Sequence, residues 1–407
     1  MAVLEAPAEV ISRFLPRELE ALLELRRDLH AHPELSWKEE RTADKLERAL
    51  TALGARDVTR VAGTGVVGRL PGREPGAPTV ALRGDIDALP IHEDTGLPFA
   101  SAVHGVMHAC GHDVHATWTI GAGMLLSREP ALGDVVLVLQ PAEELGAGAR
   151  ALIEAGVLDE VSAIFGGHVD RRFEVGQIVA DAGPLAASAD DFRIELVGQG
   201  AHGARPHEAA DPVVGAAALV MALQTIVSRR VDPSDPAVVS VGHIHAGTAS
   251  NVIPDRAFLT GTMRATTPRT RELLRAEVRR LAESVAATHR LTASVTIGDG
   301  TPPVVNDPAA SAIARAAAVS LVGERNVVPF GLTNMGGEDF AFYQERVPGC
   351  FLRVGAREPG GERTPAHSSR FTVAEGAIFV GAAVLAECAR QATDDRGAWS
   401  GERAAGR

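Results

Sequence analysis

Residues 134–144 read DVVLVLQPAEE, five consecutive valine or leucine residues closed by a glutamine, a proline and two glutamates. A run so short and so continuously apolar suits a strand buried on both faces, and such strands belong to parallel sheets covered by helices on each side. Three other stretches read the same way: GVVGRL (65–70), TVALRGD (79–85) and AIFGGH (163–168). Helical patterns separate them. In LPRELEALLELRRDLHAHPE, Leu15, Leu19, Leu22, Leu25 and Leu29 recur every three or four residues, with Pro16 at the first helical position. ERTADKLERALTALG forms a second helix stopped by Gly54, and HATWTIGAGMLLSR a third. The alternation predicts an α/β fold with a mostly parallel central sheet and helices on both faces.

After residue 183 the period changes. DFRIELVG sets Phe192, Ile194 and Leu196 against Arg193 and Glu195, the pattern of a strand with one face in solvent. A helix (DPVVGAAALVMALQTIVSR), two strands (AVVSVGHIHAG, AFLTGTMRA), a second helix (TRELLRAEVRRLAESVAATHR) and a strand (TASVTIGDG) follow. The order βαββαβ predicts a ferredoxin-like domain inserted at 184–298. The first pattern resumes afterwards, so residues 1–183 and 299–393 are expected to form one domain. The polar, Gly-rich tail 394–407 is expected to be disordered.

Composition narrows the function classes. The 407 residues are 45% hydrophobic and 23% charged, values of a globular protein rather than a fibrous or disordered one. A net charge of −12, with 40 scattered basic residues, argues against nucleic acid or an anionic membrane as partner. Cys110, Cys350 and Cys388 are too few and too scattered for a secreted disulfide framework, so a reducing cytoplasm is expected. The N-terminal MAVLEAPAEVISRF lacks a basic leader with an apolar core, and no apolar run reaches the length of a bilayer span.

Ligands of open α/β sheets collect beyond the carboxyl ends of the strands. There the sequence places Asp85 and Asp87 (GDIDALP), Glu143 and Glu144 (PAEE), and His168; MHACGHDVH adds Cys110 and His112, and AHSSRF adds His367. Thiolate, imidazole and carboxylate are the donors that hold borderline divalent metals. Alone, each reads as readily as a buried thiol, a solvated acidic pair or a structural histidine; their succession at strand ends favours a metal. Of two adjacent carboxylates, one can bind metal while the other takes a proton from water acidified by the ion. In the inserted segment, His202, Asn251 and Arg264 could serve an oxyanion and a substrate carboxylate. His207, His243 and His245 read as surface polarity.

Eight ordered motifs, RRDLHAHPELSWKEERTADKL, LRGDIDALPI, MHACGHDVH, LQPAEELGAGA, GQGAHGARPHEAADPV, SNVIPDRAFLTGTMR, MGGEDFAFY and AHSSRFTVAEGA, cover nearly the whole chain. They resemble the amidohydrolase branch of the aminoacylase and carboxypeptidase G superfamily of dinuclear metallopeptidases. The resemblance implies metal ligands at Cys110, His112, Glu144, His168 and His367, with Glu143 as general base. It implies that His202 stabilises the oxyanion, that Asn251 and Arg264 hold the substrate carboxylate, and that Asp85 and Asp87 orient the site. It further implies two divalent ions (Zn, Mn, Co or Ni) and a smaller domain that dimerises and closes over the site. Three departures bear on the substrate: VDRRFEVG after His168, where relatives often carry an aromatic residue and a proline; LGAGA after Glu144; and Ser369 in place of a proline.

The expected activity is hydrolysis of an N-acyl-amino acid to a carboxylic acid and a free amino acid. A metallo-dipeptidase or aminopeptidase of the same superfamily is the alternative. A Cys110 thiol nucleophile, with His112 or His367 as base, and a non-catalytic metal-stabilised binding protein are further classes.

Overall fold

A computed structural model describes residues 5–331, 334–394 and 399. The chain divides into two compact units: Met1–Gly183 with Asn306–Gly331 and Asp339–Arg407, and Pro184–Val305 with Leu332–Glu338.

In the first unit, α1 (Pro16–Ala31) and α2 (Glu40–Ala52) lead into β1 (Arg56–Val61), β2 (Gly65–Leu70) and β3 (Thr79–Asp85). Then come α3 (His112–Arg128), β4 (Val135–Gln140), α4 (Gly148–Glu154), β5 (Val161–Glu174) and β6 (Ile178–Val179). The last part of the chain contributes α5 (Pro308–Val322), β7 (Gly349–Arg357) and α6 (Gly376–Asp394). The strand order is β1-β2-β4-β3-β5-β7-β6. The four central strands are parallel and the outer pairings antiparallel, so GVVGRL joins the sheet against the direction of its neighbour.

The predicted layers follow from burial. Every residue of β4 is buried, as the DVVLVLQ run requires of a central strand. Helix α1 turns Leu19, Leu22, Leu25 and Leu29 inward, and each fully buried leucine stabilises the fold by roughly 1.5–3 kcal/mol. Helix α6 is buried on nearly its whole circumference, which matches its apolar sequence EGAIFVGAAVLAECAR. The tail begins with order: Asp394 ends α6, and the Trp399 indole N–H donates to the Ala392 carbonyl at 2.8 Å. The other tail residues lie outside the described residues.

A buried ionic cluster ties α1 to α3. Arg26 Nε and His30 Nδ1 both reach Asp113 Oδ2 at 2.9 Å, and His30 Nε2 lies 3.2 Å from Glu93. Burial opposes the Glu93 charge, but hydrogen bonds from His30, Thr95 and the Ser101 N–H outweigh it and bring its pKa down to about 2. A depressed carboxyl contributes stability that is present above its ordinary pKa and lost as pH falls toward the folded value. Glu93→Gln should therefore destabilise the protein more at pH 7 than at pH 3. Urea unfolding at both pH values measures this; an equal gap at the two would contradict it.

The second unit is an antiparallel sheet of strands Ala237–Ala246, Arg256–Ala265, Asp190–Val197 and Thr292–Ile297, in that order. Phe192, Ile194 and Leu196 point into a core shared with helices Pro212–Arg229 and Pro268–Thr288, while Arg193 is exposed. The helices start on side-chain caps from Asp211 and Thr267. By length and composition Pro212–Arg229 could cross a membrane, contrary to the expectation that no run reaches that length; here it buries Gly215, Ala216, Leu219, Leu223 and Ile226.

Candidate metal centre

The parallel strands of the first unit end at different heights, and the site lies where they stop. β3 closes on Asp85, and β4 on Gln140, after which Ala142 adopts a positive φ of 50° and turns the chain into Glu143 and Glu144. β5 pairs with β3 only as far as Gly166 and then continues beside β7, with His168 opposite Arg353. His168 therefore sits within a long strand rather than after a short one, level with the end of its neighbour. Cys110 precedes Gly111, whose φ of 95° starts α3; a Cβ there would lie 2.5 Å from Val169, so only glycine fits. His367, at φ 63°, is tied to this turn by its N–H, which donates to the Ala109 carbonyl at 2.8 Å.

Five of the predicted ligands and the predicted base come together. Their donor atoms fall into overlapping groups, each within 4.8 Å: Cys110 with His112 and His168, Cys110 with Glu144 and His367, and His112 with Glu143 and Glu144. Cys110 Sγ is 3.2 Å from His168 Nε2, and His367 Nε2 is 3.4 Å from Glu144 Oε1. His112 Nδ1 bonds Asp87 at 3.0 Å, while its Nε2 stands 3.8 Å from Glu143 and 3.9 Å from Glu144. That Nε2 and Glu144 Oε1 are both buried without a hydrogen-bond partner. Two buried lone-pair atoms in one place that no hydrogen bond satisfies are costly unless a cation binds them.

The surroundings prepare each donor. His168 Nδ1 faces the Val169 carbonyl at 2.7 Å, so that nitrogen carries the proton and Nε2 keeps its lone pair; burial also holds this imidazole well below its usual pKa. Burial pushes the Cys110 thiol up to about 12. Burial disfavours the Asp87 charge, yet the bond to His112 and one from the Ser36 hydroxyl at 2.7 Å hold its pKa down. The second Asp87 oxygen also accepts the Glu144 N–H at 3.1 Å, so one carboxylate orients two adjacent donors. The Glu144 carboxylate raises His367. Imidazole, thiol and carboxylate facing one another at these distances fit divalent ions of the zinc type.

Below the donors lies a polar layer of which the sequence reading assigned a role only to Asp85. Arg83 pairs with Asp85 and donates to Gln140 at 2.8 Å and Asp339 at 2.9 Å, all fully buried. Asp85 in turn accepts from His115 Nδ1 at 2.6 Å, and His115 Nε2 accepts the Val169 N–H at 3.0 Å, which aligns the backbone beside His168. Glu39, also fully buried, takes the Thr64 hydroxyl at 2.6 Å and the Ala142 N–H at 3.0 Å, gripping the turn before Glu143. One signal was available: Arg83 and Gln140 are polar residues in otherwise apolar strands, and such positions demand buried partners.

His202, Asn251 and Arg264 belong to the second unit. Residues Ala201–His202 pair with Val252–Ile253, and the Gly203 N–H donates to the Asn251 carbonyl at 2.8 Å, so His202 and Asn251 are neighbours and both exposed. Arg264 lies on the strand Arg256–Ala265, opposite Val238. His207, His243 and His245 are exposed.

Comparison with known proteins gives a consistent outcome. The profile described as Peptidase family M20/M25/M40 matches residues 81–391. An N-acetylcysteine deacetylase of Bacillus subtilis is 44% identical over 372 residues, covering 90% of this chain and 96% of its own. Thermostable carboxypeptidase 1 of Saccharolobus solfataricus is 38% identical over 90% of this chain and 94% of its own. Among solved structures, the Bacillus subtilis YXEP protein, described as a dinuclear metal binding peptidase from the M20 family, superposes with a TM-score of 0.82 at 39% identity, covering 93% of this chain and 99% of that one.

Proposed function

Since the chain belongs to peptidase family M20/M25/M40, we propose that it is a metal-dependent amidohydrolase that cleaves N-acyl-amino acids to a carboxylic acid and a free amino acid. The observation that carries the reading is the convergence of donor atoms from Cys110, His112, Glu144, His168 and His367, with His112 Nε2 and Glu144 Oε1 buried and making no hydrogen bond. Two divalent ions (Zn, Mn, Co or Ni) held by Cys110, His112, Glu144, His168 and His367 would supply Lewis acidity to the amide carbonyl and acidify water.

The remaining roles fall to the chain. Glu143 takes the proton of the attacking water and delivers it to the leaving nitrogen, work that its neighbour Glu144, facing His367, does not share. Asp85 and Asp87 hold His115 and His112. His202 is assigned to the oxyanion, and Asn251 and Arg264 to the substrate carboxylate, for which a guanidinium and an amide are matched donors. Cys110 is assigned to the ions rather than to nucleophilic attack, because its Sγ belongs to two donor groups, one with His112 and His168 and one with Glu144 and His367.

The deacetylase relative supports an acetylated substrate, and the carboxypeptidase relative supports a peptidase as second reading. Three buried free cysteines support a reducing cytoplasmic setting. Exposed Val213, Val214 and Met221 on the helix Pro212–Arg229, with Ile244 on an edge strand, support a homodimer through the second unit. Acetyl-, benzoyl- and indoleacetyl-amino acids should be hydrolysed in the presence of metal, and unblocked dipeptides at least tenfold more slowly. Preference for free amines would replace the reading with a peptidase, and a light-scattering mass of one chain would remove the dimer.

A further inference from the structure

Arg171, on β5 three residues beyond His168, stands where the sequence departs from the pattern it resembles. Its side chain is 6% exposed and turns toward residues 358–372, the connection between β7 and α6. The guanidinium donates to the Glu362 carbonyl at 2.7 Å, the Thr372 carbonyl at 2.8 Å and the Ala356 carbonyl at 3.4 Å, and pairs with Glu358 at 3.1 Å. Arg357 adds a second tie, from Nε to the Arg171 carbonyl at 3.2 Å and from the guanidinium to the Gly361 carbonyl at 3.1 Å. The connection has no helix or strand of its own, and it carries His367.

A segment of this length without secondary structure has many conformations, so a residue in its middle needs external fixing. A buried guanidinium supplies that fixing with direction. Any loop conformation that withdraws the Glu362 and Thr372 carbonyls leaves a buried cation underbonded, which is costly. The conformation that supplies those carbonyls, leaving only Arg171 Nε without a hydrogen bond, also sets the His367 N–H on the Ala109 carbonyl, next to Cys110. Arg172 takes no part: it pairs with Asp170 and lies over the Phe330 ring at 4.4 Å.

We propose that Arg171 is a positioning residue for His367, so that the ion held by Cys110, Glu144 and His367 depends on it while the ion held by Cys110, His112 and His168 does not. The inference rests on the metal reading above. Full-length wild type, Arg171→Met and Arg171→Lys are stripped of metal, titrated calorimetrically with Co²⁺ and compared by amide hydrogen exchange. Wild type should show two binding events. Arg171→Met should weaken one by at least tenfold and leave the other within twofold, with faster exchange confined to residues 358–372 and the cobalt–thiolate absorption of Cys110 retained. Arg171→Lys, which keeps the charge but reaches fewer carbonyls, should weaken the same event less and keeps the test alive if the methionine variant fails to fold. Unchanged exchange and affinities in the variants, or equal weakening of both events, would overturn the proposal. If wild type takes up no Co²⁺, the metal reading and the ion dependence fall together, and faster loop exchange would then show the tether alone.

Discussion

Glu143→Gln should leave the protein folded and its metal content unchanged while kcat falls by on the order of 10²–10⁴-fold. Glutamine keeps the size and the hydrogen-bonding reach of the side chain but cannot accept a proton. Glu143 stands 3.8 Å from His112 Nε2, on a turn held by Glu39 through the Ala142 N–H, so the substitution has little cause to move its neighbours. Metal analysis beside steady-state kinetics checks it. Near-normal turnover would remove Glu143 as the base, and loss of metal together with activity would make it a ligand instead.

Chelation should cut turnover to a small residual rate, and Zn²⁺, Mn²⁺ or Co²⁺ should restore it. Without a Lewis acid, the proposed hydrolysis has only Glu143 and the assigned hydrogen-bond donors to act on an unactivated amide. Water-ionising and charge-stabilising effects of a metal are each worth several kcal/mol of barrier, so a residual rate at least ~10³-fold lower is expected. The folded state should persist, because the Arg83–Asp85–Gln140–Asp339 network and the Arg26–His30–Asp113 cluster satisfy their buried charges from within the chain. Circular dichroism and activity on the same stripped sample measure both. Unchanged activity in protein shown free of metal would end the metal reading.

The two halves of the site differed in how far they could be read ahead of the structure. Cys110, His112, Glu143 and Glu144 follow a buried strand or open a helix, and His168 stands level with the end of β3, so the parallel-sheet pattern puts them on one rim. His367 was legible only through its motif, since nothing in the composition of residues 358–372 says where that loop returns. Arg171 and Arg172 illustrate the same limit from the other side. The sequence shows two adjacent arginines beside a candidate ligand; in the structure one is buried on the His367 loop and the other stacks on Phe330.

By itself the sequence determined the alternation of buried strands and helices, the change of period after residue 183, and the order of donor types at the strand ends. These are local properties, carried by periodicity and by chemistry at fixed spacing. The tertiary structure alone decided that β5 runs on past His168, that His112 Nε2 and Glu144 Oε1 are buried without hydrogen bonds, and that Glu39, His115 and Arg171 hold the site from below and beside it. Those facts depend on hydrogen bonds between residues dozens to hundreds of positions apart, and burial makes each one compulsory only after the chain has closed around it.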